Sequence, residues 1–145
     1  MEKLDEILKH WDIDCIMDET KISTELVNIP KLHAKYIRFL NGHKLSALRK
    51  KFEYDKMKEI RSAYYLGHLD QETLDAHDWN QFDIHVSKAG LDRYINSDDI
   101  LINLLRGKVY HEQAVYVCES ILTELKNRSW QLKTLVDYEK LQSGS

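Results

Sequence analysis

The sequence predicts an all-α fold, and three observations carry that prediction. Apolar side chains recur at steps of three and four through most of the 145 residues. Five Gly and one Pro are too few for the turns of an all-β design. The one alternating stretch, Asp83-Ile84-His85-Val86, is too brief to make a strand case. A length near 150 suits one helical domain, residues 1–145, able to bury roughly 70% of the surface its unfolded chain exposes. Within it, about 12–66 reads as one helical part and about 98–143 as another.

Leu4, Ile7, Leu8 and Trp11 follow i, i+3, i+4, i+7 spacing, which predicts a short N-terminal helix. Residues 12–19 read as a turn, with Asp18 or Thr20 placed to cap the next helix. A helical pattern then runs from about 20 to 66. Pro30 either starts a new helix or kinks this one, and Asn41-Gly42 is a second weak point. Gly67 ends the run. Residues 68–83 are acidic and read as a loop or short helix. Gly90 and Asn96-Ser97 bracket a short amphipathic piece with Leu91, Tyr94 and Ile95. Ser97-Asp98-Asp99 offers an N-cap followed by acids in the first turn. A helix over about 98–105 and a long one over about 108–141 complete the chain.

No run is apolar enough for a membrane span, and the acidic start Met1-Glu2-Lys3-Leu4-Asp5-Glu6 lacks a signal-peptide pattern. Cys15 and Cys118 stand alone, so no disulfide framework or paired metal knuckle is expected. These features predict a soluble, intracellular protein. The formal net charge of −3 hides a strong asymmetry: residues 1–30 carry −5, 31–61 carry +7, 62–105 carry −6 and 106–145 carry +1. A basic block of that size suits a polyanionic partner, or else a solvated helix pairing with its acidic flanks.

At about 100° per residue, Leu45, Leu48, Phe52, Ile60, Ala63 and Tyr64 gather on one side of the helix over 44–66. Lys51, Tyr54, Lys58, Arg61 and Tyr65 line the opposite side. Cations interleaved with aromatics suit single-stranded nucleic acid, whose phosphates meet the charges while bases stack on the rings. The competing reading is a surface whose Tyr residues pack on a neighbouring helix. Sequence-specific duplex readout is disfavoured, because no cluster of Asn, Gln or Arg aims at base edges.

A second stripe, Val115, Cys118, Leu122, Leu125, Ser129, Leu132 and Val136, keeps a three-four heptad spacing, widened by Ile121 and Leu135. On a helix this long, the stripe predicts self-association; an intramolecular bundle with the helix over 20–66 is the alternative. Enzyme motifs are absent: there is no P-loop, no Gly-x-Ser-x-Gly and no His-Glu-x-x-His. Asp70, Asp75, His77, Asp78, Asp83 and His85 could in principle hold Mg²⁺ or Mn²⁺ for a nuclease, but their spacing fits no ligand pattern. The expectation is a protein without catalysis, cofactor or metal.

The segment Lys58-Glu59-Ile60-Arg61-Ser62-Ala63-Tyr64-Tyr65-Leu66-Gly67 resembles a Lys-x-Arg-x-x-Tyr-Tyr-x-Gly stretch of the UvsY family, recombination mediators of T-even-like phages. Asp18-Glu19-Thr20-Lys21 is similar to the family's entry to its first long helix. Tyr94-Ile95-Asn96-Ser97-Asp98, the run from Leu125 through Trp130 to Lys133, and the ending Tyr138-Glu139-Lys140-Leu141-Gln142-Ser143-Gly144 resemble its C-terminal half. The resemblance covers about 12–144.

It implies a helical protomer that assembles through its C-terminal helices into a closed ring, a hexamer or heptamer. It further implies binding to single-stranded DNA, loosening of the single-strand-binding protein, loading of a RecA-like recombinase, and residence in the cytoplasm of an infected bacterium. DNA recombination, repair and replication are the implied processes. The family's DNA-contacting Lys and Arg fall on Glu59 and Arg61, so Lys58 is expected to replace the missing cation, with Lys51 extending the track. The alternative function is a helical oligomeric adaptor whose basic face docks an acidic protein.

Overall fold

The computed structural model describes residues 1–144. Five α-helices succeed one another: α1 (Leu4–Asp14), α2 (Ile22–Tyr65), α3 (Gln71–His77), α4 (Leu91–Asn96) and α5 (Asp99–Gln142). A 3₁₀ turn at Lys88–Gly90 leads into α4, and no strand occurs among the described residues. Among the described residues no helix is long and apolar enough to cross a membrane.

Both long helices have 44 residues, because the expected breaks do not interrupt them. Pro30 lies exposed inside α2, where its missing N–H costs one ladder bond; Leu32, Tyr36, Phe39 and Leu40, packed in the core just after it, keep the helix running. Asn41-Gly42 is likewise absorbed. Gly107 stays within α5, and a Cβ there would meet the Lys50 stem at 3.3 Å, so glycine permits this close approach. The true stops carry recognisable chemistry. Gly67 adopts φ +74°, His68 N–H donates to the Ala63 carbonyl at 2.9 Å, and Gly67 N–H donates to that of Tyr64 at 3.1 Å. Asp98 caps α5 by accepting from Leu101 N–H at 3.0 Å.

The backbone packs into two compact units. The first comprises residues 1–45 and the chain from His111 onward, so it holds α1, the first part of α2 and the last part of α5. Its core contains Ile7, Tyr36, Leu40, Cys118, Ile121 and Leu125, flanked by Trp11, Leu32, Phe39, Val115, Val117 and Leu122. Burial pushes the Cys118 thiol up to about 11, as befits a core side chain. Tyr36 Oη donates to Asp14 at 2.8 Å and Lys35 Nζ to the same oxygen at 2.7 Å. Burial works against the Asp14 charge, but these two bonds hold its carboxyl below the usual range. Arg128 donates to the carbonyls of Asp14 and Cys15 at 3.0 and 3.1 Å, closing the end of α1.

The stripe expected to assemble copies is therefore largely inside the protomer. Cys118, Leu125 and Leu132 are 0–1% exposed, Val115 and Leu122 pack against the same core, and Val136 is half-buried. The first part of α2, together with α1, already supplies the apolar partner that the spacing demands. Leu125→Ala should cost about 2–5 kcal/mol of stability, read from urea unfolding, because it opens a cavity in a closed core; a change within experimental scatter would place Leu125 at an open surface.

Candidate nucleic-acid interface

The second unit, residues 46–110, contains the cation-aromatic segment of α2. Helical spacing puts Tyr54, Met57, Arg61, Tyr64 and Tyr65 on one side of this segment, and that side faces the core. Tyr65, Ile95 and Leu101 form the buried centre, with Tyr54, Met57, Tyr64, Phe82, Leu91 and Tyr94 packed around them. Leu48 and Phe52, on the row read as the apolar side, are 46% and 54% exposed. The projection finds the two rows, and the structure departs from it at particular positions: Leu48 and Phe52 are open while Arg61 and Tyr65 lie inside; Ile60, Ala63 and Tyr64 are half-buried and Lys51 and Lys58 exposed, as expected. Tyr rings bury more area than Leu48 and Phe52 offer, provided that their hydroxyls find acceptors. They do: Tyr64 Oη donates to the Asn80 carbonyl at 2.7 Å, and Tyr65 Oη donates to Asp98 at 2.6 Å.

Arg61 occupies the middle of this arrangement. Its Nε donates to Asp98 Oδ2 at 2.7 Å and its Nη2 to Tyr65 Oη at 3.2 Å. The guanidinium carbon stands 4.4 Å from the Tyr64 ring centre, 4.6 Å from Trp79 and 5.1 Å from Tyr65, so its faces are enclosed by rings. The Arg61 side chain is 11% exposed and that of Asp98 is 0%. Burial opposes both charges. For Asp98, the bonds from Tyr65, Leu101 N–H and Arg61 overcome it and hold the carboxyl below the usual range. For Arg61, Asp98 and Tyr65 likewise outweigh burial and raise the guanidinium. Burial and then Asp98 push the Tyr65 phenol up, so it stays a neutral donor.

The five residues read as a DNA track thus divide. Lys51 and Lys58 are exposed and form no ion pair among the described residues; Lys51 Nζ stands 5.8 Å from the Phe52 ring centre. Tyr54 is half-buried beside them. Arg61 and Tyr65 lie inside, joined to Asp98. Spacing alone marks Asp98 only as part of a helix start, Ser97-Asp98-Asp99, and assigns no place to Trp79. Neither pairing has a local signal, since 37 residues separate Arg61 from Asp98.

The acidic stretch folds into α3. Asp70 caps it by accepting from Thr73 N–H at 2.8 Å, and His77 stacks on Trp79 at 4.2 Å. No three His, Cys, Asp or Glu side chains among the described residues gather as a metal site would need.

The unit is thus a helical one with an exposed cationic row, Lys51 and Lys58, beside an aromatic core that holds a buried ion pair. Comparison with known families gives the class: residues 10–145 match the model described as "Recombination, repair and ssDNA binding protein UvsY". The chain belongs to the UvsY family.

Solved structures agree on the fold. The recombination mediator UvsY of bacteriophage T4, in its lattice type II crystal, superposes with a TM-score of 0.85 at 20% identity, covering 99% of each chain. The lattice type IV crystal gives 0.84 at 18% identity, covering 97% of this chain and 99% of that one. The lattice type I crystal gives 0.77 at 21%, with the same coverage. Among curated proteins no match is found.

Asp98→Ala should cost about 3–5 kcal/mol, because it leaves the Arg61 charge buried and unpaired. Thermal unfolding monitored at Trp79 reports it, and an unchanged midpoint would contradict the pairing. The sign of the pH dependence comes from the lowered carboxyl. The Asp98 contribution is complete above the ordinary Asp value of about 3.9 and is lost as pH falls through its lower folded value. Wild type should lose stability over that acid range more steeply than Asp98→Asn.

Proposed function

We propose that this chain is a recombination mediator without catalysis of its own. It binds single-stranded DNA, loosens the single-strand-binding protein and helps a RecA-like recombinase onto the strand, in the cytoplasm of a phage-infected bacterium. The observation that carries this reading is the family match over residues 10–145. The exposed pair Lys51 and Lys58, on a helix whose 31–61 stretch carries +7, supplies the local chemistry.

In this mechanism Lys51 and Lys58 meet phosphates and Tyr54 offers a ring edge beside them. Arg61 and Tyr65 act from behind by holding the helix against Asp98. A few phosphate contacts per protomer give weak, salt-sensitive affinity. Repetition of the track in a homo-oligomeric ring converts that into avidity, because each further contact is intramolecular. A strand held along such a ring is constrained in path, which disfavours one DNA-bound protein and favours another.

Charge reversal at both Lys51 and Lys58 should abolish binding to labelled oligo-dT at physiological salt while leaving helix content unchanged. Fluorescence anisotropy and circular dichroism on the same samples read both. Full binding by the double variant would move the track elsewhere. Absence of wild-type binding even at low salt would favour the adaptor that docks an acidic protein.

A further inference from the structure

Of the two aromatic side chains read as part of the α2 track, Tyr65 is buried and Tyr54 half-buried, so neither presents an open ring face to a base. Trp130 does. It lies on α5 in the first unit and is 67% exposed. Helical spacing sets it on the side of α5 away from Leu125, Arg128 and Leu132, all of which are buried. Most of a large indole surface is therefore left in water.

The neighbouring side chains narrow what can cover that ring. At one, three and four positions away lie Lys126, Asn127, Ser129, Gln131, Lys133 and Thr134, every one exposed. None is apolar, whereas a seam between helices needs apolar residues at those steps. The ring stands alone, which disfavours a protein helix as its cover. Cations flank it instead. Lys126 sits one turn before it and Lys133 one turn after, about 10 Å apart along the helix axis. Neither lysine forms an ion pair among the described residues, and Lys133 Nζ stands 5.6 Å from the indole ring centre. α5 carries no acid between Glu124 and Asp137. A shallow hollow of about 130 Å³ opens beside the ring, lined by Ser129, Trp130 and Lys133.

We propose that Trp130 is a base-stacking site for single-stranded nucleic acid, with Lys126 and Lys133 meeting the phosphates on either side of the stacked base. Every base has a π-face, so such a site is tolerant of sequence. It selects single strands, because in a duplex both faces of a base are already stacked. The site deepens the proposed function by naming where a base is held, and it rests on that reading.

The test compares wild type, Trp130→Ala and Trp130→Phe on labelled oligo-dT and on an abasic oligonucleotide of the same length, by fluorescence anisotropy. Circular dichroism and sedimentation velocity check the fold and the mass. Trp130→Ala should weaken oligo-dT binding by about tenfold and leave abasic binding unchanged. Trp130→Phe, which keeps a ring, should retain most of the affinity. Replacing both Lys126 and Lys133 with Gln should make the slope of log affinity against log salt shallower by about 1.4, two phosphates at about 0.7 each. Unchanged oligo-dT binding by Trp130→Ala would overturn the site and leave the mediator reading standing. Equal losses on the two oligonucleotides would also overturn it, as would a changed sedimentation coefficient, which would make Trp130 a contact between protein chains. A wild type that binds neither oligonucleotide at low salt would remove the mediator reading and the site with it.

Discussion

A buried ion pair, Arg61 with Asp98, holds the second unit together. A guanidinium taken out of water loses several kcal/mol of hydration, and only a well-placed counter-charge offsets that. Asp98 provides it at 2.7 Å while also capping α5 and accepting from Tyr65. One carboxylate thereby ties the end of α2 to the start of α5. The rings of Tyr64, Tyr65 and Trp79 close over the cation and exclude water, which strengthens the pair electrostatically. Without Asp98 the aromatic core would hold an unpaired charge at its centre.

The pair also decides what the rest of the helix can do. With Arg61 engaged internally, positive charge reaches solvent from Lys58 and Lys51, about one and three turns nearer the N-terminus of α2. α2 therefore has distinct jobs around its circumference. One side completes the core in each unit, and in the second unit another carries the exposed cations Lys51 and Lys58. A helix of 44 residues with a single stripe would need no such division. Its weak overall amphipathicity comes from having apolar residues on more than one side.

Much of this is legible in the residues. The all-α class, α1, the Gly67 stop, a cap within Ser97-Asp98-Asp99 and the short α4 all arise from spacing and cap chemistry, although the capping side chain is Asp98 and Ser97 bonds back to Arg93 and Tyr94. Pro30, Asn41-Gly42 and Gly107 do not break their helices, because local penalties of one to about three kcal/mol yield to packing along both sides. Within the 44–66 segment Tyr65 is buried where hydropathy would expose it, while Leu48 and Phe52 stay open, and the reason is physical. Hydropathy ranks Leu48 and Phe52 above Tyr54 and Tyr65, yet a Tyr with a hydroxyl partner is a better core residue than its polarity implies. For Tyr65 that partner, Asp98, lies far along the chain, and single-sequence spacing carries no information on it. The stripe over 115–136 is apolar as its spacing predicts. It has two possible occupants, and the protomer's own α1 and α2 take most of it.

On the function proposed, Arg61 organises the surface from inside, without touching DNA. The salt dependence of oligo-dT binding by the double variant Arg61→Met, Asp98→Asn tests this. That variant removes both buried charges and keeps a cap acceptor at position 98. For single strands the slope of log affinity against log salt is about 0.7 for each phosphate neutralised. The expected slope equals that of the wild type. A slope shallower by about 0.7, with the fold intact, would mean that Arg61 neutralises a phosphate itself and would rule out its purely internal role.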